Sequence, residues 1–334
     1  MSLENIILIV KLEVGDKMKV RADWSHDCTW GVVPYVQESL QLLSDEGSNE
    51  VVMNGAAWLY EKSLRDKYKD YDRRCLLAFW SPCEFTQRKD HYHFDDYDFF
   101  TEVYCVCPLT CKFMNEHYGY EKFKYVPYMF TNRSVSEFGN YDADCSWMGS
   151  IHGQDHISAI EVMSEFKYKF MTSQRNTWMR HPYEFEKCTH VFLPNDEKLK
   201  QLSKCRSSLS FNMIYMSPAS KKNGFDVFDR FDEGIMPQFK VRTFEIASCK
   251  SLLIVKRDPW NLIEDFFKPE KDFIYFDDFD ELRDIIHDVS QNFENYQGII
   301  DSAYNRVQDF TAEKIYEYIK QDDKNLITWR NKHV

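Results

Sequence analysis

The feature that most constrains this chain is an uncharged run, Ser251-Leu252-Leu253-Ile254-Val255, flanked by helical patterns. An apolar run this short reads as a strand buried on both faces, and such strands belong to parallel sheets covered by helices. Arg242-Thr243-Phe244-Glu245-Ile246-Ala247-Ser248-Cys249 precedes it as a helix. An acidic loop follows, then the short strand Phe273-Ile274-Tyr275-Phe276 and a helix that starts at Asp277-Asp278-Phe279-Asp280-Glu281-Leu282. The order helix, buried strand, loop, strand, capped helix is that of an α/β unit.

The rest of the chain repeats the theme. Strands are expected near Ile6–Leu12, Val51–Met53, Cys75–Trp80, Phe99–Val106 and Phe123–Val126, with helices near Tyr35–Leu43 and Cys111–His117. Between Tyr128 and Tyr141 the periodicity lapses into turn-forming residues, Phe130–Ser134 and Gly139-Asn140. A new unit then starts with strand Cys145–Met148, turn Gly149–Gly153 and helix Ile157–Phe166. Further on come strand Lys169–Thr172, helix Glu197–Cys205 and strand Ser208–Asn212. We expect two facing Rossmann-like α/β domains with a cleft between them: residues 1–138, residues 139–310, and a tail at 311–334 that crosses back to the first.

With 334 residues, 43% of them hydrophobic, the chain holds enough apolar mass for two cores. Its net charge of −12 and lack of a Lys/Arg block argue against general nucleic-acid binding. Ten scattered cysteines form no repeated CxxC pair. No signal peptide is read at the start, and Ile6–Val10 is too short to span a bilayer, so a cytoplasmic protein with reduced thiols is expected. Twenty-six Phe and twenty Tyr give a rich supply of aromatic faces, on which sugars stack.

The stretch 239–326 resembles the nucleotide-sugar half of GT-B glycosyltransferases, the CgeB-like and family 1-like C-terminal type. Arg242-x-x-Glu245 matches that family's pattern. The resemblance implies that Glu245 holds the nucleotide ribose, while Arg242, with Thr243 beside it, lies toward the diphosphate. A carboxylate suits two hydroxyls and a guanidinium fork suits phosphate. Many relatives carry another Glu eight positions before this one, and here that position is Pro237. Gly149-Ser150 follows a strand and opens a helix, where backbone N–H groups attract anions. The family places its donor diphosphate near such a turn. His152 and His156 follow, and a His in this loop could donate to a phosphate or stay solvated; His152 is kept as the donor-binding candidate. Asn212, ending its strand beside the expected switch point, is a candidate for reading a base or sugar hydroxyl.

The general base should come from the first domain, and His26 and Asp27 in the early loop Asp23–Gly31 are the candidates. Asp90-His91-Tyr92-His93-Phe94-Asp95-Asp96 reads as a solvated loop. Asp142-Ala143-Asp144 matches the DxD pattern of metal-dependent sugar transferases, but it precedes a strand where theirs follows one. We therefore expect neither metal nor other cofactor, with a nucleotide-diphosphate sugar as co-substrate and helix dipole and Arg at the leaving diphosphate. The resemblance implies a hexosyl-type glycosyltransferase acting on a glycan, protein or small-molecule acceptor. A nucleotide-sugar epimerase and a catalytically silent nucleotide- or sugar-binding protein stay open.

Overall fold

The computed structural model describes residues 21–23, 48–54, 63–78, 94–105, 108–126, 135, 137–151, 153–172, 186–191, 193–215 and 235–311. The strand expected at Ile6–Leu12, the helix at Tyr35–Leu43, His26, Asp27, His91, His93, His152 and the tail beyond Thr311 lie outside them.

A first sheet has five parallel strands in sequential order: β1 (Arg21–Asp23), β2 (Glu50–Asn54), β3 (Arg73–Ala78), β4 (Glu102–Cys105) and β5 (Phe123–Tyr125). Helices α1 (Ser63–Tyr68) and α2 (Pro108–Tyr118) connect its strands. Its core includes Val51, Met53, Leu76, Val103 and Phe123.

The second half begins with β6 (Cys145–Met148), α3 (Gln154–Met163), β7 (Tyr168–Thr172) and β8 (His190–Val191). These strands run parallel in the order β8-β7-β6. After α4 (Asn195–Leu202), the chain returns to the other side of β6 as β9 (Ser207–Ser210). Backbone bonds from Arg206 N to Ala143 O at 3.0 Å and Ser207 N to Asp144 O at 3.1 Å join the two groups. A short antiparallel pair follows, β10 (Met213–Tyr215) and β11 (Ile235–Pro237). Then come α5 (Val241–Ser248), β12 (Leu252–Lys256) and β13 (Ile274–Phe276), extending the sheet outward from β9. The resulting order, β8-β7-β6-β9-β12-β13, is the doubly wound Rossmann arrangement. Its strand order reverses between β6 and β9, where such sheets open a crevice for ligands. Two helices close the unit, α6 (Phe279–Gln291) and α7 (Gln297–Val307).

Strand β12 is buried on both faces, as its apolar run requires. Leu252 and Ile254 join Trp147, Ile160, Phe211, Leu282 and Ile286 on one face. Leu253 and Val255 join Phe239, Phe244, Phe267 and Val307 on the other, in a cluster that continues into the first sheet's core. The period of two along the strand sorts these residues. Between the strands, Ser146, Ser208 and Ser251 form a buried hydroxyl row with oxygens 2.6 and 2.8 Å apart. A hydroxyl is both donor and acceptor, so such a row satisfies itself away from water. Helix α6 is capped by Asp278, which accepts from Glu281 N at 2.8 Å, and Glu281 reaches back to accept from Asp277 N, one residue before the cap, at 2.6 Å.

Candidate functional site

The two turns that leave β6 and β9 at their carboxyl ends, together with the start of α5, bring most of the expected site residues together. The β6 turn is held by Gly149 N donating to Met171 O at 2.9 Å and by Trp147 Nε1 donating to Gly149 O at 3.2 Å. Gly149 has φ +128°, a conformation natural to glycine alone. A Cβ there would lie 2.2 Å from Arg242 Nη2 and 2.9 Å from Arg242 Cζ. The missing side chain thus makes room for a guanidinium, which also lies 4.5 Å above the Trp147 ring. The sequence reading gave Gly149 to a phosphate; in the structure its bare Cα lies against the Arg242 guanidinium. Ser150, next in the turn, is buried, and its Oγ has no hydrogen-bond partner.

Asn212 and Thr243 do something the sequence reading did not anticipate. Asn212 Oδ1 accepts from Lys240 N at 3.0 Å and from Thr243 Oγ1 at 3.1 Å. Thr243 Oγ1 also lies 2.8 Å from Ser210 Oγ. Asn212 therefore caps α5 from the turn that follows β9, and both residues are fully buried. The side chain expected to read a ligand uses its amide oxygen as a brace, while its Nδ2 is left without a partner. His156, expected to be solvated, is 4% exposed and packs between Trp147 and Phe211, with ring centroids at 4.7 and 4.9 Å. It lies on α3, whose inner face is apolar, so burial there overrides its polarity.

Arg242 and Glu245 part company. Arg242 turns toward Trp147 and Gly149, whereas Glu245 is 1% exposed and takes Lys198 of α4 at 2.7 Å. Lys198 is itself buried, so two opposite charges compensate one another inside the domain. The carboxylate meant for the ribose is thus partly engaged. Lys198 escaped the sequence reading; its one signal was its place four residues before Leu202, on the apolar side of α4.

Strand β12 ends in a second buried carboxyl, Asp258, 2% exposed. Its Oδ1 accepts from Trp260 N at 2.9 Å, and its Oδ2 has no partner. Burial pushes its pKa up to about 6, against the backbone N–H groups of Trp260, Leu262 and Asn261 that favour the charged form. The Asp142-Ala143-Asp144 motif sits at the opposite, amino end of β6. Asp142 is 2.5 Å from Lys169, and Asp144 is 2.5 Å from Arg206 and accepts Lys167 N at 3.2 Å. Both carboxylates hold protein cations and lie away from the turn beside Arg242.

The model of a family described as glycosyl transferase-like matches residues 155–321, half of the chain. The chain belongs to that family. No curated protein matches it in sequence. Among solved structures, HepE of Anabaena, in complex with UDP-glucose, is similar over 92% of this chain and 99% of its own, at 12% identity and a TM-score of 0.59. A DNA-modifying β-glucosyltransferase is similar over the same shares, at 12% identity and a TM-score of 0.57. Sucrose-phosphate synthase of Thermosynechococcus elongatus matches 88% of this chain and 77% of its own, at 11% identity and 0.54. These likenesses establish the fold of this family member as GT-B, two Rossmann-like domains facing across a cleft.

Proposed function

We propose that the protein is a hexosyl-type glycosyltransferase that uses a nucleotide-diphosphate sugar, with a uridine diphosphate sugar the first donor to test. The observation that carries this reading is the Arg242 guanidinium lying against the bare Cα of Gly149, beside Ser150, at the switch point of a doubly wound sheet. A fixed cation at the carboxyl edge of β6, next to the start of α5, suits a diphosphate leaving group. Fold and family membership agree with this. HepE was crystallised with UDP-glucose and with UDP and glucose, which makes uridine diphosphate the sensible base to try.

On this reading Arg242 and the Gly149-Ser150 turn hold the diphosphate, and His152 is a further donor-binding candidate. Glu245 takes the ribose while Lys198 balances its charge, and Asn212 and Thr243 hold the start of α5 in place. The reaction needs no metal, because Arg242 and the helix start take the cation's role. His26 or Asp27 removes the acceptor proton, and residues 1–138 form the acceptor-side domain against a donor-side domain at 139–310. The acceptor is a glycan, a protein or a small molecule, and the enzyme works in the cytoplasm.

The test is donor hydrolysis. Incubated with a panel of nucleotide sugars in the presence of a chelator, the protein should release nucleoside diphosphate from at least one, and Arg242→Ala should lose that activity at least tenfold. Binding without release across the panel would instead favour a silent sugar-nucleotide binder.

A further inference from the structure

A feature of the first sheet lies outside all of this. Cys105 is the last residue of β4, and Cys111 stands in the first turn of α2. Their sulfurs are 2.7 Å apart. Both residues are buried, at 0% and 4% exposure, and both belong to the domain's apolar core. Non-bonded heavy atoms settle at about 3.5–4.0 Å, whereas a disulfide spans about 2.05 Å. The pair is therefore held well inside contact distance, and little movement separates it from a covalent bond. Both side chains belong to the same buried apolar cluster, so the approach is built into the core.

We propose that Cys105 and Cys111 form a reversible disulfide that ties the carboxyl end of β4 to the first turn of α2. The oxidant class is a peroxide. One thiolate attacks a peroxide oxygen, the O–O bond breaks, and hydroxide leaves as the cysteine becomes a sulfenic acid. The second thiol then attacks that sulfur, the S–O bond breaks, and water leaves as the S–S bond forms. In sum two thiols and one hydrogen peroxide give one disulfide and two waters. A dithiol reductant reverses the step by thiol–disulfide exchange. Because the sulfurs are buried, the first attack waits on local opening and is slow compared with that of an exposed thiol. The bridge closes residues 106–110 into a loop at the edge of the sheet where α/β domains bind ligands.

Differential labelling of the full-length protein tests this. The protein is treated with hydrogen peroxide, denatured, alkylated with a light reagent, reduced, and alkylated again with a heavy one. Trypsin leaves Cys105, Cys107 and Cys111 together in the peptide Asp90–Lys112. Heavy label on Cys105 and Cys111 with light label on Cys107 is the expected pattern, absent when reductant follows the peroxide. Light label on all three, or heavy label on Cys107, overturns the proposal. Wild-type protein alone decides this, so the test does not depend on a cysteine variant folding.

Discussion

Lys198 and Glu245 sit 2.7 Å apart with almost no exposure, and removing one partner strands the other's charge. Lys198→Met should destabilise the protein by about 3–5 kcal/mol, and adding Glu245→Gln should recover much of that loss. Denaturant unfolding of the two variants checks it; equal losses in single and double variants would show the pair to be uncoupled. Asp258 gives a pH signature. Its folded pKa, about 6, stands above the ordinary 3.8, so near pH 5 the folded chain holds a proton that the unfolded chain has lost. The stability this brings is complete below about pH 4 and is lost as pH rises through about 6. Asp258→Asn keeps an acceptor for Trp260 N and carries no charge. Relative to wild type it should gain about 1–3 kcal/mol between pH 4 and 7 and hold that difference above. A difference flat with pH would place the carboxyl in water. Neither residue stood out in the sequence. Lys198 meets its partner 47 residues away, and the Asp258-Pro259-Trp260-Asn261 stretch reads as an ordinary loop. Spacing along one helix did single out Arg242 and Glu245, but it did not show that they turn to different neighbours.

At the scale of the element, α5 lacks a cap of its own: the side chain of its N-cap Lys240 does not cap the helix. Asn212 supplies the missing acceptor from the turn that follows β9. Asn212→Ala should cost about 1–2 kcal/mol and Asn212→Asp clearly less, since Asp keeps the Oδ1 acceptor. Thermal unfolding of both variants measures this, and equal losses would remove the capping role. Strand β12 was legible because its apolar run Leu252–Val255 is buried on both faces, with no polar position to confuse the pattern, while β6 and β9 carry buried serines and were placed by the turns and helices around them. Those that sequence reasoning missed, β1, β8, β10 and β11, are two or three residues long and too short to show a period. The cap was invisible for a different reason. It joins residues 28 apart, and a strand-ending Asn looks the same whether it caps a helix or faces a ligand.

For the whole molecule, the α/β character of both halves was readable from the alternation of strands and helices, and among the described residues the second half is the doubly wound one. The position of the site followed from topology: once β6 and β9 are neighbours with the chain winding outward on both sides, the crevice lies at their carboxyl ends. What the sequence did not reveal was how the site is assembled, because Trp147, Gly149 and Arg242 meet only when α5 docks beside β6. Isothermal titration of uridine diphosphate and uridine against wild type and Arg242→Ala tests that assembly most directly. The account predicts that wild type binds the diphosphate, that Arg242→Ala weakens it by about 1.5–3 kcal/mol, and that uridine binding is unchanged. Equal affinity of the diphosphate for both proteins, or equal weakening of diphosphate and nucleoside, would contradict it.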